Sequence, residues 1–257
     1  MKVATFNVNS IRARMQLVTA WIEENAPDVL CLQETRVADP AFPHEPIERL
    51  GYTLAFRGDK GRNGVAIVSR RPLEDVAFGF DDGGSADEDR LAVATVGGVA
   101  LVNTYIPQGR DPDHPMFRVK LEWFARLRRL FERRYDPSQP LLWVGDFNVA
   151  PEPIDVHNPK RLDGQVGFHP EERRVLSEVG SWGFVDVFRR HHPEGGQFSF
   201  FDYRAKDAVA RGIGWRVDHI WATPPLAERS TAAWIDLAPR TAPRPSDHTP
   251  VVAEFDA

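Results

Sequence analysis

Carboxylates, carboxamides, a phenol and an imidazole recur in short motifs along this chain, most of them directly after an apolar run. They read FNVN (6–9), LQET (32–35), YIPQG (105–109), GDFN (145–148) and SDH (246–248), with RVDH (216–219) inside a further apolar run. Such groups are costly to bury without partners, so their placement predicts convergence on one polar site with a metal among them. Glu34 ends the run DVLCLQ; its oxygens suit a hard divalent ion such as Mg²⁺, or else bond a neighbouring turn. Asp146 and Asn148, two residues apart, would share one face of an extended chain. The carboxylate can then take a proton while the carboxamide orients a water or an oxyanion, although the same letters are also turn chemistry. Asp247 and His248 are adjacent and point apart in extended backbone, so they serve different partners. A histidine beside a phosphate needs an orienting carboxylate; Asp218 is the candidate, with a bond to backbone as its alternative. His219 points the opposite way and reads as structural. Asn7 and Asn9 can donate to phosphate oxygens or hold a metal's waters, and Tyr105 can donate to developing negative charge.

Other chemistries lack their signatures. No Walker-type glycine loop, GxSxG elbow or CxxC pair occurs. Cys31 is the only cysteine and lies in an apolar strand, which excludes an internal disulfide, predicts an inert thiol and suits a reducing cytosol. A net charge of −5 does not advertise a nucleic-acid binder, yet a local basic face would suffice. With no signal-peptide core, no membrane-length apolar run and no oligomerisation element, the expectation is a cytoplasmic, membrane-free monomer.

The elements that must position these residues are short β-branched runs at 2–6, 28–32, 52–56, 65–69, 91–96, 99–105, 141–144, 216–222 and 251–255. Gly97-Gly98 reads as a tight hairpin turn. Helical spacing appears over 11–24, over 115–135 and after Pro170. On the long helix Phe117, Leu121, Phe124, Leu127, Leu130 and Phe131 line one face, while Arg126, Arg129, Arg133 and Arg134 read as a solvated outer face. The acidic stretch 81–89 reads as a mobile hairpin tip. VATFNVNSI near the start echoes WVGDFNVAPEPI near the middle, as in a sandwich whose halves each deliver a strand end to one cleft. At 257 residues with no linker, one domain over 1–257 is expected.

Taken together, the chain resembles the exonuclease III family of apurinic/apyrimidinic (AP) endonucleases, from MKVATFNVNSIRAR to SDHTPVVAEF. LQET, GDFN and SDH alone would admit the wider endonuclease/exonuclease/phosphatase superfamily, including inositol phosphatases. YIPQG, IDVHNPK, GFHPEER, SWGFVDVFR, FSFFDYRAK and RGIGWRVDH narrow it to the DNA-repair branch. The resemblance implies an α/β fold, a four-layer sandwich of two packed sheets with helices outside. It implies Mg²⁺- or Mn²⁺-dependent phosphodiester hydrolysis on duplex DNA at abasic sites or 3′ ends. Glu34 would be the main metal ligand, with Asn9 or Asp247 nearby. Asp146, oriented by Asn148, would activate the water, and His248, paired with Asp218, would hold the phosphate together with Asn7. Tyr105 would stabilise the transition state or leaving group. Phe200 and Trp215 would wall a pocket for an extruded baseless sugar; the alternative is that Phe198, Phe200 and Trp215 are ordinary core aromatics. Arg12, Gln108, Lys160, Arg204 and Arg211 would contact phosphates. Two positions depart from the family pattern: Phe200 stands where bacterial relatives commonly carry tryptophan, and Arg62 where they often carry an aromatic residue. The other reading within the superfamily is a phosphatase for a small or lipid headgroup.

Overall fold

The computed structural model describes residues 1–59 and 61–256. The first six strands are β1 (Lys2–Asn7), β2 (Val29–Gln33), β3 (Thr53–Arg57), β4 (Val65–Ser69), β5 (Glu74–Phe78) and β6 (Leu91–Val96). The others are β7 (Val99–Tyr105), β8 (Leu141–Asp146), β9 (Val185–Asp186), β10 (Asp218–Ala222), β11 (Ser230–Ile235) and β12 (Val251–Phe255). They form two six-stranded sheets, ordered β11-β12-β1-β2-β4-β3 and β5-β6-β7-β8-β10-β9. β2 and β4 are buried along their whole length, which is why they read as unbroken apolar runs rather than alternating ones.

Val3, Cys31 and Ile67 of one sheet pack against Ala94, Leu142, Val144 and Ile220 of the other. The outer face of the first sheet is covered by the Ile11–Asn25 helix through Val18, Trp21 and Ile22. The second sheet is covered by the Pro115–Arg134 and Pro170–Gly180 helices through Phe124, Leu127, Phe131, Leu176 and Val179. The four-layer α/β sandwich follows from these three apolar interfaces.

The two sheets repeat one pattern of strand directions. β1 runs parallel to β2 and antiparallel to β12; β8 runs parallel to β7 and antiparallel to β10. β1 and β8 carry the echoed sequences, so the repeat in sequence falls on equivalent places in the two halves.

Three strands escape sequence reading. β5 is exposed and interrupted by a register shift, β9 has two residues, and β11 is alanine-rich with a shift between Ser230 and Ala232. Each exists through pairing with a stronger neighbour. The segment 81–89, expected to be a mobile tip, is instead tied to the long helix. Arg126 donates to Asp82 Oδ2 (Nε, 2.9 Å) and to Asp87 Oδ2 (Nη1, 2.7 Å), and Arg133 donates to the Phe80 carbonyl (2.8 Å). This corrects the solvated-face reading for Arg126, whereas Arg129, Arg133 and Arg134 are exposed as expected. Opposite charges some forty residues apart meet only once the chain has folded.

Candidate active site

The motifs meet at one end of the sandwich: β1, β2 and β8 are each followed by a sharp change of direction, while Asp218 opens β10 and Ser246–His248 precedes β12. Asn9 (φ 42°), Glu34 (φ 55°) and Asn148 (φ 52°) all lie in the left-handed region, where a non-glycine residue is held only by surrounding contacts. Those contacts are visible. The Asn9 N–H donates to Asn7 Oδ1 (3.0 Å) and the Asn148 N–H to Asp146 Oδ1 (2.9 Å), so the same local turn follows β1 and β8. Asp146 and Asn148 therefore do not share an extended face. The turn reading is met, and the turn folds the Asn148 amide back to within 3.2 Å of Asp146 Oδ2.

Asn7 joins the two halves. Fully buried, its Nδ2 donates to Glu34 Oε2 (3.0 Å) and to Asp146 Oδ2 (2.8 Å). The adjoining pair is Asp218 and His248: Nδ1 of the imidazole lies 2.8 Å from Asp218 Oδ2, and Nε2 lies 3.9 Å from Asp146 Oδ2. Burial opposes a charged imidazole here, but the two carboxylates outweigh it and raise the His248 pKa to about 10. Burial also raises Asp146, to about 7, against the lowering charge of His248 and with the repulsion of Asp218 behind it. Tyr105, opposite Asp146 in the β7–β8 register, is kept protonated by burial and by the charges of Glu34 and Asp146. His219 is held neutral by burial and by Arg216, its pKa lowered to about 4, and it bonds the Val149 carbonyl (3.0 Å), in line with a structural role. Cys31 is buried and its thiol pKa pushed up by burial, so the thiolate is suppressed.

Above these groups opens a cavity of about 480 Å³ whose lining includes Glu34, Tyr105, Gln108, Asp146, Asn148, Phe200, Arg204, Trp215, Asp247 and His248. Asn9 sits beside it, donating to Asp247 Oδ1 (2.9 Å). Phe200 pairs by its backbone with both Trp215 and His248, and its ring lies 4.9 Å from the imidazole. Phe198 belongs instead to a separate apolar cluster with Phe201 and Ala208. The structure does not bring Arg12, Lys160 or Arg211 to the cavity: all three are exposed away from its lining, and Arg211 donates to the Lys206 carbonyl (3.0 Å). Arg62 is also exposed outside it.

Sequence reasoning missed four residues at or beneath the site. Arg36, two residues beyond Glu34, pairs with the Glu34 Oε1 that Asn7 leaves free. Arg90 stacks 4.8 Å over the Tyr105 ring and donates to its carbonyl (3.1 Å). Gly167 faces Trp215, whose ring a β-carbon there would meet at 3.3 Å, so its lack of a side chain keeps that wall open. Lys120 is fully buried beneath the loops. Its signal was available, since it lies on the apolar face of the long helix, three residues after Phe117 and four before Phe124.

The acidic, oxygen-rich lining fits a hard divalent cation. Among the described residues, the carboxylate and imidazole atoms within 4.8 Å of one another are those of Asp146, Asp218 and His248. A protonated His248 already bonded to Asp218 offers no lone pair, which leaves the carboxylates as donors. Asp218 Oδ1, buried, has no hydrogen-bond partner among the described residues. Glu34 lines the cavity, and its Oε1 is paired with the half-exposed Arg36 side chain.

Comparison with known proteins agrees with this architecture. Residues 4–248 match the model of the endonuclease/exonuclease/phosphatase family. The chain is 38% identical over 267 aligned positions to exodeoxyribonuclease III of Haemophilus influenzae, covering 99% of this chain and all of that protein. It superimposes on an AP endonuclease from Archaeoglobus fulgidus with a TM-score of 0.98 at 48% identity, and on the 3′ phosphatase NExo from Neisseria, solved bound to a product DNA hairpin, with 0.95 at 36%. Both structures are matched over their full length.

Proposed function

The chain belongs to the endonuclease/exonuclease/phosphatase family, and from that premise we propose that it is a DNA-repair phosphodiesterase. It cleaves duplex DNA on the 5′ side of abasic sites, with 3′-to-5′ exonuclease and 3′-end trimming as companion activities, using Mg²⁺ or Mn²⁺. The observation that carries the reading is the pair of hydrogen bonds that the Asn7 amide donates to Glu34 and Asp146, which joins the strand-end motifs into one acidic centre beside the Asp218–His248 pair. Similarity over the full chain to an exodeoxyribonuclease III and to an AP endonuclease supports DNA as the substrate.

Glu34 would be the principal metal ligand, with Asn9 and Asp247 beside it. When bound, the ion polarises a phosphate oxygen and neutralises developing charge. The side chains supply the rest. His248, held cationic by Asp218, pairs with a non-bridging oxygen of the scissile phosphate, and the Asn148 amide orients the water. Asp146 takes the water's proton as its oxygen bonds to phosphorus. The 3′ oxygen leaves with the P–O electron pair, met by the phenol of Tyr105, whose retained proton makes it a donor at neutral pH.

Phe200 and Trp215 form the wall for the extruded sugar, with Gly167 leaving room against Trp215. A nucleotide without a base loses less stacking on leaving the duplex, so such a pocket selects damage physically. Gln108 and Arg204, at the cavity, fit phosphate contacts. Arg12, Lys160 and Arg211 could serve only a duplex that extends beyond it. The test is a panel of matched duplexes carrying an internal abasic analogue, a recessed 3′ end or a 3′-phosphate, alongside inositol phosphates. Metal-dependent cleavage of the DNA panel is expected; turnover of the small phosphates with intact DNA would move the protein to the headgroup branch.

A further inference from the structure

Beneath the catalytic loops lies an ion pair with no exposure at all. Lys120 projects from the Pro115–Arg134 helix and donates through Nζ to Glu172 Oε1 at 2.5 Å; both side chains are 0% exposed. Two desolvated charges cost several kcal/mol each before they attract one another, so such a pair is poor evidence of a stability role. Burial pulls the lysine's pKa down while Glu172 opposes it, and the charge of Asp146 is near enough to act on it as well.

Three of the pair's four remaining bonds go to residues that line the cavity. Lys120 Nζ also donates to the Asn148 carbonyl (2.8 Å) and the Gln108 carbonyl (3.2 Å), one on the loop after β8 and one on the loop after β7. Glu172 Oε2 accepts from the Gly167 N–H (2.6 Å) and the His169 N–H (3.1 Å), and the Ala150 N–H donates to the Gly167 carbonyl (2.8 Å). A capping role for the Pro170–Gly180 helix accounts for the bond from His169 to Glu172. It does not account for a buried cation, which no helix cap requires.

YIPQG supplies an independent sign. Gly109 has φ 94°, and a β-carbon there would lie 3.0 Å from Val166 Cγ2 and 3.2 Å from Lys120 Cδ. The glycine lets the loop close down on the lysine stem.

The geometry points to Lys120 and Glu172 as positioning residues: one buried ion pair holds the Asn148 turn, the Gln108 turn and the Gly167 wall in fixed relation, coupling the water-activating loop to the substrate pocket. The inference rests on the phosphodiesterase reading above for its kinetic consequence, but not for its structural one. Lys120→Met combined with Glu172→Gln removes both charges while keeping an acceptor for Gly167, and neutral replacement of a buried pair often preserves stability.

Wild type, Lys120→Met and the double variant are compared by amide hydrogen exchange and by turnover of a duplex with an abasic analogue. The double variant should keep its Tm within a few degrees. Exchange at residues 147–150 and 167–169 should speed up while β8 stays protected, and kcat should fall roughly 10- to 100-fold with little change in KM, as for reacting groups misplaced by about 1 Å. A double variant with kcat within about twofold of wild type, or with unchanged exchange in either loop, would overturn the assignment. Should either variant fail to fold, Glu172→Gln alone is held to the same two criteria. Failure of the wild type to cut the duplex would defeat the functional reading, leaving the exchange arm to decide the ion pair.

Discussion

At neutral pH the proton inventory of the site is set by residues that share one buried patch. In the proposed role of base Asp146 must be ionised, so the rate should fall as pH drops through its pKa, raised by burial to about 7. A cation at Glu34 would draw that limb lower. In its proposed role His248 must be charged to pair with phosphate, so activity should also fall as pH rises through about 10. Asp218→Asn removes the nearer carboxylate that holds the imidazole charged. Its alkaline limb should therefore move down toward the ordinary histidine range near 6.5, and a pH–rate profile with an unmoved limb would contradict the role given to Asp218. Asp146→Asn and Glu34→Gln should each lower single-turnover cleavage by roughly 10²–10⁴-fold while DNA binding persists. Undiminished cleavage by both would refute the assignment. These residues were legible in the sequence because their types are expensive at strand ends. Arg36, Arg90 and Lys120 were not, because an arginine or lysine at ordinary spacing gives no sign of which carbonyl or ring it will meet.

The elements matter through how they end. β1 and β8 each stop at a side chain that accepts the N–H two residues on, turning the chain back over its own strand end. In GDFN the glycine serves the strand rather than the turn. Gly145 has φ 137°, and a β-carbon there would lie 2.0 Å from the Thr104 carbonyl oxygen of the paired strand β7. That contact is with backbone, which cannot swing aside. Gly145→Ala should thus destabilise the fold by about 2–3 kcal/mol or more, read as a lowered urea midpoint; a neutral substitution would show that β7 and β8 can separate freely. Sequence periodicity found the central strands, whose apolar runs need no context, and missed β5, β9 and β11, whose existence depends on partners. It also left residues 81–89 loose, since the Arg126 clamp joins charges that only the folded chain brings together.

At the scale of the molecule, two like-patterned sheets bring β1 and β8 together across their interface, so the echo between FNVN and GDFN is the sequence trace of a cleft built from both halves. The net charge of −5 is partly paired off locally: at the cavity Arg36 meets Glu34 and Arg204 meets Asp202, and Arg126 neutralises part of the acidic segment 81–89. Duplex binding should weaken with salt, log K falling against log salt with a slope of about −0.9 for each phosphate neutralised; a flat response would argue against DNA. No helix among the described residues is long and apolar enough to cross a membrane. The central claim, a metal-dependent phosphodiesterase selective for baseless sugars, is tested most directly by mapping the cut in a duplex with a single tetrahydrofuran residue. The account predicts incision at the phosphate 5′ to the lesion, dependent on Mg²⁺ or Mn²⁺, abolished by chelation and by Asp146→Asn, and absent from the undamaged duplex at that position. An uncut lesion strand in the presence of either metal, or a cut that survives both chelation and Asp146→Asn, would contradict it.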